Sequence, residues 1–196
     1  MQIQQAIKEL QQGNVVAIPT ETVYGLAADA TNEAAVAKLF AIKGRPDNKP
    51  ITIQLGDKKH IETYADILHP WEQTIIDTFM PGPITLILRK KDNISDKITS
   101  WSPFVGVRIP QHPDTLNLLQ SLSFPLAVPS ANKTGEMPAM TVQEAKVVFG
   151  DTVSYYMENN YPMGSIASTV VQIVDGAVNV LREGPISREQ IENSFI

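Results

Sequence analysis

The feature that most constrains this chain is the length of its apolar runs, each about as long as a β-strand and each stopped by turn residues. Such runs occupy residues 15–18, 51–55, 84–89, 105–109, 125–128, 153–157, 169–174 and 178–182, and this pattern reads as buried strands. Between them the spacing changes. Ile3, Ala6, Ile7 and Leu10 recur at helical intervals before Gly13, and Asn32 is placed to cap a helix carrying Val36, Leu39 and Phe40 that ends at Lys43-Gly44. Thr141 with Glu144 and Ser187 with Gln190 have capping-box spacing, and His69-Pro70 and His112-Pro113 read as further helix starts. Asp175-Gly176 between two apolar runs is a hairpin signal, so the last two strands are expected to be antiparallel in an otherwise mixed sheet. The segment PTETVYGLAAD from Pro19 reads as irregular. The expectation is one α/β domain over residues 1–196.

No apolar run approaches the ~20 residues of a membrane span. The first residues, MQIQQAIKEL, lack a basic and then apolar leader, so a cytoplasmic chain with no membrane partner is expected. With no cysteine, a disulfide framework, a thiolate nucleophile and a Cys-based zinc site are all excluded. His60, His69 and His112 lack the spacing of helix-borne zinc pairs, so no protein metal site is expected. The net charge of -5 argues against a protein built to hold a long nucleic-acid backbone. Yet Lys38, Lys43, Arg45, Lys49, Lys58 and Lys59 face only Asp47 and Asp57 in the same stretch. A locally basic segment in an acidic chain suits a compact polyanion.

Four segments place polar side chains just beyond a strand, where open α/β sheets bind ligands: PTETVYGL, KGRPDNKP, PSANKTG and LREG. Lys43 and Arg45 flank a glycine on what reads as a loop, so replacing either is expected to spare the fold. They suit an anion, or are a solvated surface pair. Ser130 and Asn132 offer a hydroxyl and an amide to a phosphate, or form an ordinary turn. Thr20, Thr22 and Tyr24 alternate and can aim three hydroxyls to one side, or make a polar strand edge. Ser168 and Thr169 open one strand and Arg182 closes its hairpin partner, at neighbouring or opposite ends according to register. Neither a Walker loop nor a GxGxxG is present, and no catalytic triad is visible.

Taken in order, GNVVAIPTETVYGLAADAT, AIKGRPDNKPI, FMPGPITLIL, VGVRIPQHP, PLAVPSANKTG, STVV and LREGPIS resemble the YrdC/Sua5 family. The resemblance runs from about Gly13 onward. It implies an α/β fold with a twisted mixed parallel and antiparallel sheet flanked by helices around a large, positively charged cavity. It also implies synthesis of threonylcarbamoyl-AMP and pyrophosphate from L-threonine, bicarbonate and ATP, with Mg²⁺ accompanying the nucleotide. The product would pass to a threonylcarbamoyl-transferase complex that modifies tRNA position 37. By motif, Lys43, Arg45, Ser130 and Asn132 match catalytic positions, and with Lys49 and Arg182 they match contacts to ATP. Thr22, Arg108 and Ser168 match positions that hold threonine. Two departures stand out: Lys49 and Gln54 replace an Asn and a His of longer members, and Gln172 replaces a frequent Asp.

In the implied reaction the substrate brings its own nucleophile, a carbamate formed on the threonine amine. Positioning and charge stabilisation therefore suffice, and a chain without Cys or a triad is not handicapped. Two rivals remain. One is an RNA-binding module in RNA or ribosome maturation, which the acidic charge disfavours, so weak or no direct RNA binding is expected. The other is an adenylating domain using carbamoyl phosphate, as in hydrogenase-maturation proteins, whose accompanying modules do not occur in this sequence.

Overall fold

The structure is a computed structural model that describes residues 1–44, 46 and 48–196. Its strands are β1 (Val16–Ile18), β2 (Gly25–Asp29), β3 (Ile53–Gln54), β4 (Ala65–Asp66), β5 (Ile84–Lys90), β6 (Phe104–Arg108), β7 (Leu126–Ala127), β8 (Tyr155–Tyr156), β9 (Thr169–Val174) and β10 (Ala177–Arg182). They form one sheet in the order β10-β9-β5-β6-β3-β7-β2-β1-β8, with β4 beside β5. The pairs β1–β8, β3–β6 and β5–β9 are parallel and the others antiparallel. The sheet is therefore mixed, as expected. The β9–β10 hairpin turns at Asp175 and Gly176, with φ of 51° and 72°, the two positive values that a type I′ turn needs.

The helices are α1 (Gln2–Gln11), α2 (Glu33–Lys43), α3 (Ile61–Tyr64), α4 (Pro70–Phe79), α5 (Asp96–Thr99), α6 (Pro113–Gln120), α7 (Val142–Phe149) and α8 (Arg188–Asn193). Asn32 Oδ1 caps α2 by accepting from the amides of Ala34 and Ala35. Both expected capping boxes form, Thr141 with Glu144 and Ser187 with Gln190. His69 and His112 do cap α4 and α6, and His69 forms a third box with Glu72. Among the described residues no helix is long and apolar enough to cross a membrane.

One expectation fails: the PTETVYGLAAD segment is irregular only in its first half, and Gly25–Asp29 is a strand between β1 and β7. Glycine and alanine have low strand propensity, so pairing on both sides decides the conformation there. Several other strands are shorter than their apolar runs, β3, β7 and β8 being two residues each.

Alternation along the strands separates two faces. Val15 and Ala17 pack into the larger core, with α2 and residues of α4 and α7. Val16 and Ile18 turn the other way, into a second cluster with Ala6 and Leu10 of α1, Leu118 and Leu119 of α6, and Leu126 and Val128. On this second face α1 and α6 supply the cover for the β1–β2–β7 end. Further along the same face, Gln54 pairs with Leu126, Arg108 with Gln54, and Ile87 with Gly106. Of these, Gln54, Arg108, Ile87 and Gly106 line a cavity instead of a helix interface.

Candidate functional site

The cavity has a volume of about 320 Å³. Its floor is the face of β3, β6, β5 and β9 just described: Thr52, Gln54, Gly106, Arg108, Thr85, Ile87 and Val170. The opposite positions, Ile53, Val107, Leu86 and Val171, belong to the core. The PTET segment, the strand end at Pro129-Ser130, and Ser168 with Arg182 form its walls.

Three threonine-binding candidates meet here. Thr22 is buried, and its Oγ1 accepts from Arg108 Nη2 at 3.0 Å and lies 2.9 Å from Thr20 Oγ1. Thr20 Oγ1 gives its proton to the Val23 carbonyl at 2.7 Å, so Thr22 is the donor between the two hydroxyls. Arg108 is also buried and paired through Nη2 with Glu21 Oε1 at 2.8 Å. Ser168 Oγ lies 2.9 Å from Thr85 Oγ1 and accepts from Arg182 Nη2 at 3.0 Å. Tyr24 departs from the expected row of hydroxyls: its OH donates to the Met157 carbonyl at 3.1 Å, and burial, with Glu158 second, pushes its pKa up to about 12.

The hairpin register question resolves toward neighbouring ends. Arg182 pairs with Val170 across a bulge, and its Nε and Nη2 donate to the Ser168 carbonyl at 2.9 and 2.8 Å. Burial, and then the nearby Arg108 guanidinium, lower the Arg182 pKa. Two cations facing one cavity suit an anionic ligand. The glycine of LREG has a role in this approach: a Cβ on Gly184 would stand 2.3 Å from Thr169 N and 2.6 Å from Ala167 O.

The nucleotide candidates divide. Ser130 lines the cavity, and its Oγ donates to Asn132 Oδ1 at 2.6 Å. Asn132 is buried behind it, with Nδ2 donating to the Lys133 and Glu136 carbonyls at 2.9 and 2.8 Å. Lys43 is not on a loop but is the last residue of α2, 1% exposed. Its Nζ donates to Ser130 O at 2.6 Å, Asn132 O at 2.8 Å and Asn132 Oδ1 at 3.0 Å. This excludes a solvated charge for Lys43 and overturns the expectation that packing would not notice its loss. Lys49 is exposed, its amide donating to the Pro46 carbonyl at 3.1 Å. Arg45 lies outside the described residues.

The floor residues Thr52, Thr85 and Gly106 escaped sequence reasoning, which looked to loops. Their signal was present: in otherwise apolar stretches, Thr52 with Gln54, Gly106 with Arg108, and Thr85 put small or polar residues on one side.

The sequence pattern of the Sua5/YciO/YrdC family, described as "Telomere recombination", matches residues 8–184. The chain belongs to this family. It is 38% identical over 97% of its length to a Bacillus subtilis protein named threonylcarbamoyl-AMP synthase. A Methanocaldococcus jannaschii relative is 37% identical over 94% of the chain. The crystal structure of P. abyssi Sua5 complexed with L-threonine matches with a TM-score of 0.94, at 32% identity over 98% of the chain. The chain spans 56% of the Bacillus and P. abyssi proteins and 86% of the Methanocaldococcus one. The fold expected from the resemblance, a mixed sheet flanked by helices, is the fold of this family.

Proposed function

We propose that the chain makes threonylcarbamoyl-AMP, the product in the Bacillus relative's name, from L-threonine, bicarbonate and ATP. The observation that carries this reading is the convergence of Thr22, Arg108, Ser168 and Arg182 on one cavity, in a fold shared with a Sua5 that binds L-threonine.

The threonine amine and bicarbonate form an N-carboxylate with loss of water. A carboxylate oxygen then attacks the α-phosphorus, and the bond to the bridging oxygen breaks to release pyrophosphate. The enzyme's task is to align three reactants and offset charge. Arg108, whose Nη2 is engaged by Glu21 and Thr22, pairs with the amino-acid carboxylate through Nε. Arg182 and Ser130 face the nucleotide, while Lys43 and Asn132 hold the Ser130 strand end from behind. With Arg108 and Arg182 both facing it, the cavity carries a positive bias offset by Glu21. Arg45 and Lys49 add cations for the triphosphate in this reading. Mg²⁺ would arrive on phosphate oxygens. Among the described residues no group of three or more His, Cys, Asp or Glu is gathered to hold it, so no step is assigned to a protein-bound metal.

The product is the activated donor for a tRNA-modifying transferase complex, and this chain itself is proposed to bind RNA weakly. Purified protein should release pyrophosphate only when ATP, bicarbonate and threonine are all present and without RNA. Equal release in the absence of threonine would sink the assignment.

A further inference from the structure

Among the described residues, four buried side-chain atoms have no hydrogen-bond partner: Glu21 Oε2, Gln54 Oε1, Arg108 Nε and Ser100 Oγ. The first three share one neighbourhood. Glu21 and Arg108 are paired at 2.8 Å, and Gln54 stands opposite Arg108 in the β3–β6 ladder. Native proteins leave few buried polar atoms unpaired, and a charged one is the most costly. Three around one guanidinium point to a ligand that supplies the missing partners.

The chemistry of the pair states what that ligand carries. Arg108 Nε is a cationic donor and calls for an anion. Glu21 Oε2 is an anionic acceptor and calls for a donor, best a cation. A phosphate or a plain carboxylate answers only the first and meets like charge at the second. The complement of both is a zwitterion with its two charges a carbon apart, as in an α-amino acid.

Local structure keeps the pair in place. The bonds of Arg108 to Glu21 and Thr22 leave from Nη2, so its Nε stays available. The Glu21 carbonyl accepts from Gly164 N at 2.8 Å, and the next amide, Thr22 N, donates to Thr20 Oγ1 at 3.2 Å. Both neighbours of the carboxylate, Thr22 and Arg108, line the cavity.

We propose that Glu21 holds the α-ammonium group of the amino-acid substrate while Arg108 takes its carboxylate. This rests on threonine being the substrate. The site then selects a zwitterion, and an analogue without the amine is rejected because Oε2 stays unpaired.

The test titrates L-threonine and 3-hydroxybutyrate, which keeps the carboxylate and hydroxyl but lacks the amine, into the unaltered protein, Glu21→Gln and Glu21→Asp. Gln keeps the shape and the acceptor for Arg108 but not the charge. It should weaken threonine by at least about tenfold and leave 3-hydroxybutyrate nearly unchanged, with Asp recovering part of the threonine affinity. Equal weakening of both ligands would make Glu21 only a support for Arg108 and overturn the proposal, as would unchanged threonine binding. Should Gln fail to fold, the Asp protein carries the same comparison: a selective loss for threonine supports the proposal, and an equal loss or none overturns it. Failure of threonine to bind the unaltered protein removes the substrate reading itself, and with it this inference.

Discussion

Lys43 shows how far a residue's environment can depart from its neighbourhood in the chain. It stands in the most basic stretch of the sequence, yet its ammonium is enclosed by three oxygens from residues 130 and 132. Those oxygens belong to the strand end that offers Ser130 to the cavity. Replacing Lys43 by Ala removes a cationic donor from all three and opens a gap, although Ser130 O keeps the Asn132 amide at 3.1 Å and Asn132 Oδ1 keeps the Ser130 hydroxyl at 2.6 Å. A buried polar group that loses its partner costs about 1–3 kcal/mol. We expect Lys43→Ala to lose about 3 kcal/mol of stability, which lowers the melting temperature by roughly 6–12 °C for a domain of this size. Turnover should fall as well, because Ser130 loses its backing. Thermal melts read together with pyrophosphate release decide the matter: an unchanged melting temperature would mean the enclosed ammonium contributes nothing to the fold.

At the scale of elements, what was legible were the ends of helices and the tightest turn. Ser187 with Gln190, Thr141 with Glu144, and Asp175-Gly176 each carry their whole signal within a few residues. The strand β2 was not legible, because Gly25, Ala27 and Ala28 hold it by pairing with β1 and β7, not by propensity. Nor was the cavity floor, since Gln54 and Arg108 become neighbours only through the parallel β3–β6 pairing. The LREG segment lies between these cases. Its arginine suggested a ligand contact, but its glycine has a job that only the fold reveals: it lets the chain after β10 press against the start of β9. Gly184→Ala must push apart backbone atoms 2.3–2.6 Å from the new methyl. Overpacking of this kind costs about 1–3 kcal/mol, and Arg182 should be drawn away from Ser168. The expected result is a lower melting temperature and a raised KM for ATP, and, because the displaced backbone carries Ser168, a raised KM for threonine as well. An unaltered ATP KM would separate Arg182 from the nucleotide.

For the whole molecule, the arrangement of layers decides which ligands can enter. Helices α1 and α6 cover one end of a sheet face, and the uncovered remainder becomes a cavity of about 320 Å³ floored by strands. A site of that kind encloses small molecules more readily than it grips an RNA duplex, and the net charge of -5 gives little long-range attraction for a polyanion. Enclosure also makes selection among amino acids asymmetric. Serine keeps the carboxylate, amine and hydroxyl and lacks one methyl, a difference worth about 1–3 kcal/mol in a fitted pocket, so its kcat/KM should fall roughly ten- to two-hundred-fold. Valine keeps the shape and lacks the hydroxyl. It would leave a polar partner unmatched, and the cavity offers Thr22, Ser168 and Gln54, the last with an Oε1 that has no hydrogen-bond partner among the described residues. A site built around such a bond can reject the analogue by about 10⁴ or more. The expected order is threonine, then serine, with valine far behind, measured as pyrophosphate release at saturating ATP and bicarbonate. Valine turned over as fast as serine would mean that the cavity reads shape alone and that none of these three side chains contacts the substrate hydroxyl.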